Sequence, residues 1–114
     1  SIDQDDWDGI GQALPIKSAV VRWAMLAKKA GLDGVVASPQ EASLIRETCG
    51  PDFLIVTPGV RPVGSAVNDQ SRIATPAAAL QRGASHLVLG RPLRAAEDPR
   101  QAALAILKEM ETVK

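Results

Sequence analysis

Phe53-Leu-Ile-Val-Thr57, followed at once by Pro58-Gly-Val-Arg-Pro62, decides how this chain folds. The first five residues form a continuous apolar run of strand length rather than an alternating one, which suits a strand buried on both faces. Gly34-Val-Val-Ala37 and His86-Leu-Val-Leu89 have the same character. Strands are therefore predicted at about 34–37, 53–57 and 86–89. Helical segments lie between and after them, so the expected class is α/β, with parallel strands alternating with helices.

The helix signals are explicit. Between Ile16 and Ala27, the residues Ile16, Val20, Trp23, Ala24 and Ala27 share one face at helical spacing, while Lys17, Arg22, Lys28 and Lys29 occupy the other sides. This helix is expected to stop at Gly31. Ser38-Pro39-Gln40-Glu41 reads as a capping serine, a proline at the first helical position and a glutamate at the third. Thr75-Pro76 and Asp98-Pro99-Arg100-Gln101 repeat the device. In the last segment Ala103, Ile106, Leu107, Met110 and Val113 form a stripe, leaving Lys108, Glu109 and Glu111 for solvent. The acidic opening, Asp3-Gln-Asp-Asp-Trp-Asp8, reads as a short surface helix whose Trp7 covers the domain's edge.

The whole chain is 114 residues, with 13 basic and 13 acidic side chains, 46% hydrophobic and 3% aromatic residues. That describes one domain spanning 1–114 and no second one. Zero formal charge leaves no excess positive field to hold a nucleic-acid backbone or an anionic membrane surface. No apolar run approaches the roughly 18 residues of a membrane span, and the opening lacks the features of a secretion signal, so a cytoplasmic location is expected. Cys49 stands alone, without a partner for a disulfide or a metal knuckle, and reads as a buried apolar thiol.

The unit order is helix, strand, helix, strand, long loop, helix, strand, short turn, helix. An open sheet of three parallel strands would leave two unpaired edges and a partly uncovered face, so part of the sheet is expected to be missing. The chain opens without a methionine, where a strand should just have ended, which suggests a partial chain.

Two segments carry chemistry. From Pro58 to Ala74 there is no periodic pattern, and that length exceeds the roughly 12–15 residues beyond which structureless loops are usually functional or disordered. Gly59, Gly64 and Ser65 permit movement, and Arg61, Asp69, Gln70 and Arg72 supply polar groups after the carboxyl end of a strand, where α/β ligands bind. An anion-gripping lid fits; a surface loop with incidental charges is the alternative. Gly90-Arg91-Pro92 follows the last buried strand. Glycine allows close approach, arginine offers a fork matched to phosphate oxygens, and proline starts a helical turn whose amides would face the anion. Read alone, Arg91 is equally well a surface charge. Together with the lid it suits a barrel's phosphate site between the last loops and a short extra helix. His86 has no cysteine or carboxylate at ligand spacing and reads as a hydrogen-bonded structural residue; no metal site is expected. Gly64-Ser65-Ala66 is not a nucleophile elbow, and no P-loop or Rossmann fingerprint occurs.

Gly31-Leu-Asp-Gly-Val-Val-Ala-Ser38, Thr57-Pro-Gly-Val-Arg-Pro62, Gly64-Ser65, Asp69-Gln70-Ser-Arg72, Thr75-Pro76 and Gly90-Arg-Pro92 together, in order and spacing, closely resemble the bacterial orotidine 5′-phosphate decarboxylase family. The resemblance runs through essentially the whole chain. It implies a TIM (β/α)8 barrel of which this chain is the C-terminal half, beginning after the fifth strand and carrying strands six to eight, with the N-terminal half absent. It implies conversion of orotidine 5′-monophosphate to uridine 5′-monophosphate and carbon dioxide in de novo pyrimidine synthesis, without metal or organic cofactor, by a homodimer. On that resemblance Arg61, Gln70, Gly90 and Arg91 are substrate-binding, with Gln70 and Arg91 on the phosphate, and Pro58 lies near the pyrimidine.

One departure stands out. The family's chemistry rests on an alternating lysine and aspartate array that includes an Asp-x-Lys-x-x-Asp segment, and no such segment occurs in these residues. Lys28 and Lys29, near Asp33, end a helix and cannot replace it. No catalytic residue is therefore assigned within the chain, which is expected to be inactive unless joined by a half carrying the array. A non-catalytic phosphate-binding half-barrel and a related sugar-phosphate barrel enzyme are the alternatives, the latter disfavoured by Asp69-Gln70.

Overall fold

A computed structural model describes residues 2–62 and 74–113 of the chain. Its elements run α1 (Gln4–Gly9), α2 (Ile16–Lys29), β1 (Gly34–Val36), α3 (Ala42–Cys49), β2 (Leu54–Thr57), α4 (Pro76–Gln81), β3 (His86–Leu87), α5 (Arg91–Arg94) and α6 (Pro99–Glu111). The strands form one sheet in the order β1-β2-β3. Both pairings are parallel: Val35 faces Ile55, Val36 faces Val56, and Val56 in turn faces His86. The expected α/β alternation is present, with strands shorter than the apolar runs. Leu89 falls outside β3, although Val88 N–H still donates to Thr57 O at 2.9 Å.

Burial alternates along β2: Ile55 and Thr57 are fully buried, whereas Leu54 is exposed. On the buried side Ile55 joins Ala24 of α2, Ile45 and Cys49 of α3, Ala37 and Phe53 in one cluster. Val60, Ala79 and Ala84 form a second cluster, covered by Leu87 and Leu89. The opposite side is bare, with Val36 71%, Leu54 41% and Val88 49% exposed. Strands with apolar side chains on both faces, but helices on only one, belong to the wall of a barrel whose interior side has nothing packed on it among the described residues.

Local chemistry explains several helix ends. Gly31, at φ 92°, closes α2, and the Leu32 N–H reaches back to Ala27 O at 3.1 Å, the six-to-one bond of a left-handed helix stop. Thr75 Oγ1 accepts from Ala78 N–H at 3.2 Å, and an Asp98 carboxylate oxygen accepts from Gln101 N–H at 3.1 Å, each with proline at the first helical position. Gly34 serves a different need: a Cβ there would lie 2.2 Å from Leu54 O, so only glycine lets β1 and β2 approach.

Several expectations are corrected. Ser38 does not cap α3; its Oγ accepts from Gln40 N–H at 3.3 Å within a turn, and the helix starts four residues later, at Ala42. Pro39 and Glu41 are buried in that turn. Trp23 is 56% exposed despite its place in the apolar stripe of α2, where Ala19 is buried instead. Trp23 meets Trp7 edge-on, ring centroids 5.9 Å apart, while Trp7 Nε1 donates to Leu14 O; the structural role expected for Trp7 holds. Leu107 is likewise exposed. Glu109, expected in solvent, accepts from Ala77 N–H at 2.8 Å and thereby ties α6 to the first turn of α4. The His86 ring is exposed and makes no hydrogen bond among the described residues; only its backbone is structural. Cys49 is buried, as expected.

Candidate anion site at the carboxyl rim

The parallel sheet sends β2 and β3 out at the same end. Beyond Thr57 the chain turns through Gly59, whose φ of 72° favours glycine, and Val60 pairs in parallel with Ala74. Arg61 N–H donates to Ala74 O at 2.9 Å, and Ala74 N–H donates to Gly59 O at 3.3 Å. The two ends of the long loop are thus stitched together, and Val60, 2% exposed, anchors the near end in the second core cluster. This pairing brackets Val60 and holds Arg61's own N–H, which fixes where the Arg61 side chain starts.

Beside it, β3 continues through Val88 and Leu89 to Gly90, which precedes α5. Leu93 and Arg94 N–H groups both donate to Gly90 O, at 3.0 and 2.9 Å. Pro92 has no N–H. The helical-turn amides expected to face an anion are therefore mostly committed inside the turn, and the positive charge at this rim comes from side chains.

A cleft of about 350 Å³ lies between these two turns. Pro58, Arg61, Gly90 and Arg91 all line it, so four of the five residues singled out in the sequence converge on one concavity. The fifth, Gln70, lies outside the described residues, as do Gly64, Ser65, Asp69 and Arg72. Arg94 also lines the cleft and was not anticipated. Its signal was its position three residues after Arg91, which in a helical turn places both on one side.

Three arginines, Arg61, Arg91 and Arg94, line the cleft, and no acidic residue is among its described lining residues. Arg61 is only 9% exposed, and among the described residues no acceptor reaches its Nε. A buried guanidinium with an unmet N–H calls for an acceptor, and a phosphate offers planar pairs of oxygens matched to that fork. The chemistry available here is recognition of an anion. Among the described residues, no group of three or more His, Cys, Asp or Glu side chains is placed to hold a metal ion. No described helix is long and apolar enough to cross a membrane.

Comparison with known proteins places the chain in a family. A family model described as orotidine 5′-phosphate decarboxylase / HUMPS family matches residues 3–106. The orotidine 5′-phosphate decarboxylase of Moorella thermoacetica is 60% identical over 105 residues, covering 92% of this chain and 42% of that protein. That of a Caulobacter species is 58% identical over 110 residues, covering 96% and 48%. The crystal structure of orotidine 5′-phosphate decarboxylase from Lactobacillus acidophilus superposes with a TM-score of 0.77 at 39% identity, over 96% of this chain and 44% of that one. The chain thus spans about half the length of the curated relatives it matches. With a parallel α/β sector of a TIM barrel, and a family match through nearly all its residues, the chain belongs to the orotidine 5′-phosphate decarboxylase / HUMPS family.

Proposed function

We propose that this chain is the phosphate-binding, C-terminal half of an orotidine 5′-phosphate decarboxylase, acting on orotidine 5′-monophosphate and releasing uridine 5′-monophosphate and carbon dioxide. The observation that carries the reading is the convergence of Arg61 and Arg91 on one cleft at the carboxyl rim of the sheet. In this reading Arg91 and Gln70 hold the phosphate, Arg61 and Gly90 complete the substrate pocket, and Pro58 packs near the pyrimidine.

The bond that breaks joins the substrate carboxylate to C6 of the pyrimidine. Its electron pair stays on C6, carbon dioxide departs, and a proton replaces it. A lysine that stabilises and protonates the carbanion, and a carboxylate that crowds the substrate's own, would come from the complementary half, because these residues contain no Asp-x-Lys-x-x-Asp segment. Contacts at the phosphate lie far from the reacting carbon, yet their binding energy can be used to orient the charged ring for reaction, which lowers the barrier. The complete enzyme is proposed to be a cytoplasmic homodimer, on family resemblance.

Mixing this chain with a polypeptide carrying the first five βα units and the lysine and aspartate array tests the proposal. Decarboxylation above that of either part is expected; none would count against it. Submillimolar binding of uridine 5′-monophosphate by the chain alone, with no turnover on mixing, would instead favour a non-catalytic phosphate-binding half-barrel.

A further inference from the structure

We infer that Arg94 is a steering cation at the mouth of the cleft, drawing a phosphomonoester dianion in without gripping it once bound. The inference rests on reading the cleft as a phosphate site.

Arg61 and Arg94 share the cleft but differ in burial. Arg61 is 9% exposed with its Nε unmet among the described residues, the condition of a group built to contact a ligand directly. Arg94 is exposed at the last position of α5. Its backbone is held by the N–H donated to Gly90 O at 2.9 Å, so the base of the side chain is fixed beside the rim while the guanidinium stays in solvent. An exposed cation loses little desolvation energy and gains little from a fixed pair. Its long-range field still acts on an approaching anion, and rim charges change association and salt dependence more than the bound contacts.

No carboxylate is among the described residues that line the cleft. The acidic residues next in sequence, Glu97 and Asp98, are exposed and lie outside that lining, and the Asp98 carboxylate is turned to the Gln101 N–H of α6. The net charge of the chain is zero, so any attraction at this rim is local rather than a property of the molecule as a whole.

The test uses a complete barrel carrying these 114 residues, with Arg94→Ala, Arg94→Lys and Arg94→Glu variants. At about 0.01 M salt, where the screening length is about 30 Å, Arg94→Ala is expected to lower kcat/KM for orotidine 5′-monophosphate about three- to ten-fold through KM, with kcat unchanged. Arg94→Glu should lower it further and Arg94→Lys should restore it, because only the sign of the charge matters. At about 1 M salt, where the screening length is about 3 Å, the variants should converge on the parent. An effect that persists at high salt, a fall in kcat, or no change at low salt would overturn the inference. Inorganic phosphate separates this from the reading of the reaction. If the parent barrel binds phosphate but does not decarboxylate, the proposed function fails, and Arg94 is judged by whether Arg94→Ala weakens phosphate binding at low salt only. A parent that decarboxylates but does not bind phosphate at low salt overturns the inference and leaves the reaction standing.

Discussion

Arg61 and Arg91 reach the same cleft from different turns, and their burial sets different costs of removal. Arg91→Ala in a complete barrel is expected to weaken phosphate binding by about 1.5–3 kcal/mol, the range for hydrogen bonds to charged groups, as measured by titration with inorganic phosphate or uridine 5′-monophosphate. Arg61→Ala should cost a similar amount of affinity. It also relieves a buried, incompletely bonded guanidinium, so the ligand-free protein should not be destabilised to match; thermal melts with and without ligand separate the two. Gly34 is the clearest single-residue determinant of the sheet. A methyl group would collide with the Leu54 backbone at 2.2 Å, so Gly34→Ala should destabilise by about 1–3 kcal/mol in urea titration, whereas Ala at Gly9, where no atom lies within 4 Å, should have little effect.

At the scale of elements, the strands are held at the end remote from the cleft by one side chain on α3. Arg46 donates to Gly50 O at 2.8 Å, Pro51 O at 3.1 Å, Gly83 O at 2.8 and 3.1 Å, Ser85 Oγ at 3.0 Å, and Phe53 O. Ser85 Oγ in turn accepts from Ile55 N–H at 3.0 Å. The entries to β2 and β3 are thereby clamped to one guanidinium. Arg46→Met keeps the stem but leaves several carbonyls without donors, and should cost about 3 kcal/mol of stability by chemical denaturation while leaving the lining of the cleft unaltered. Removing the α4 cap by Thr75→Ala should cost about 1 kcal/mol. Because Thr75 follows the Ala74 that pairs with Val60, that change should also loosen the stitched base of the long loop, seen as faster amide exchange at Arg61.

For the whole molecule, the decisive feature is a sheet that the described helices cover on one side only. Val36, Leu54 and Val88 present apolar side chains where the interior of a barrel would lie. Val36→Glu should therefore change the stability of the 114-residue chain by less than about 0.5 kcal/mol, the usual range at an exposed site, yet abolish any activity recovered by mixing with the lysine-bearing half. Recovery equal to that of the parent chain would show that this face is not where the complement packs.

The alternation of apolar runs and capped helices was legible directly, because strand burial and helix termini depend on residue type at short range: Thr75-Pro76, Asp98-Pro99 and Gly31 work as their chemistry requires. The pairing of Pro58 and Arg61 with Gly90 and Arg91 was legible too, since parallel strands must release their following turns at one end. Tertiary structure alone decided the rest. Periodicity cannot say which apolar side chains find a neighbour, so Trp23 and Leu107 look like core and are exposed, while Ala19 is buried. Nor does a local pattern show that Arg46 gathers carbonyls from two distant turns, that Glu109 bonds the start of α4, or that Arg94 joins the cleft. Those outcomes depend on where separate elements meet in space, and packing of the folded chain sets that.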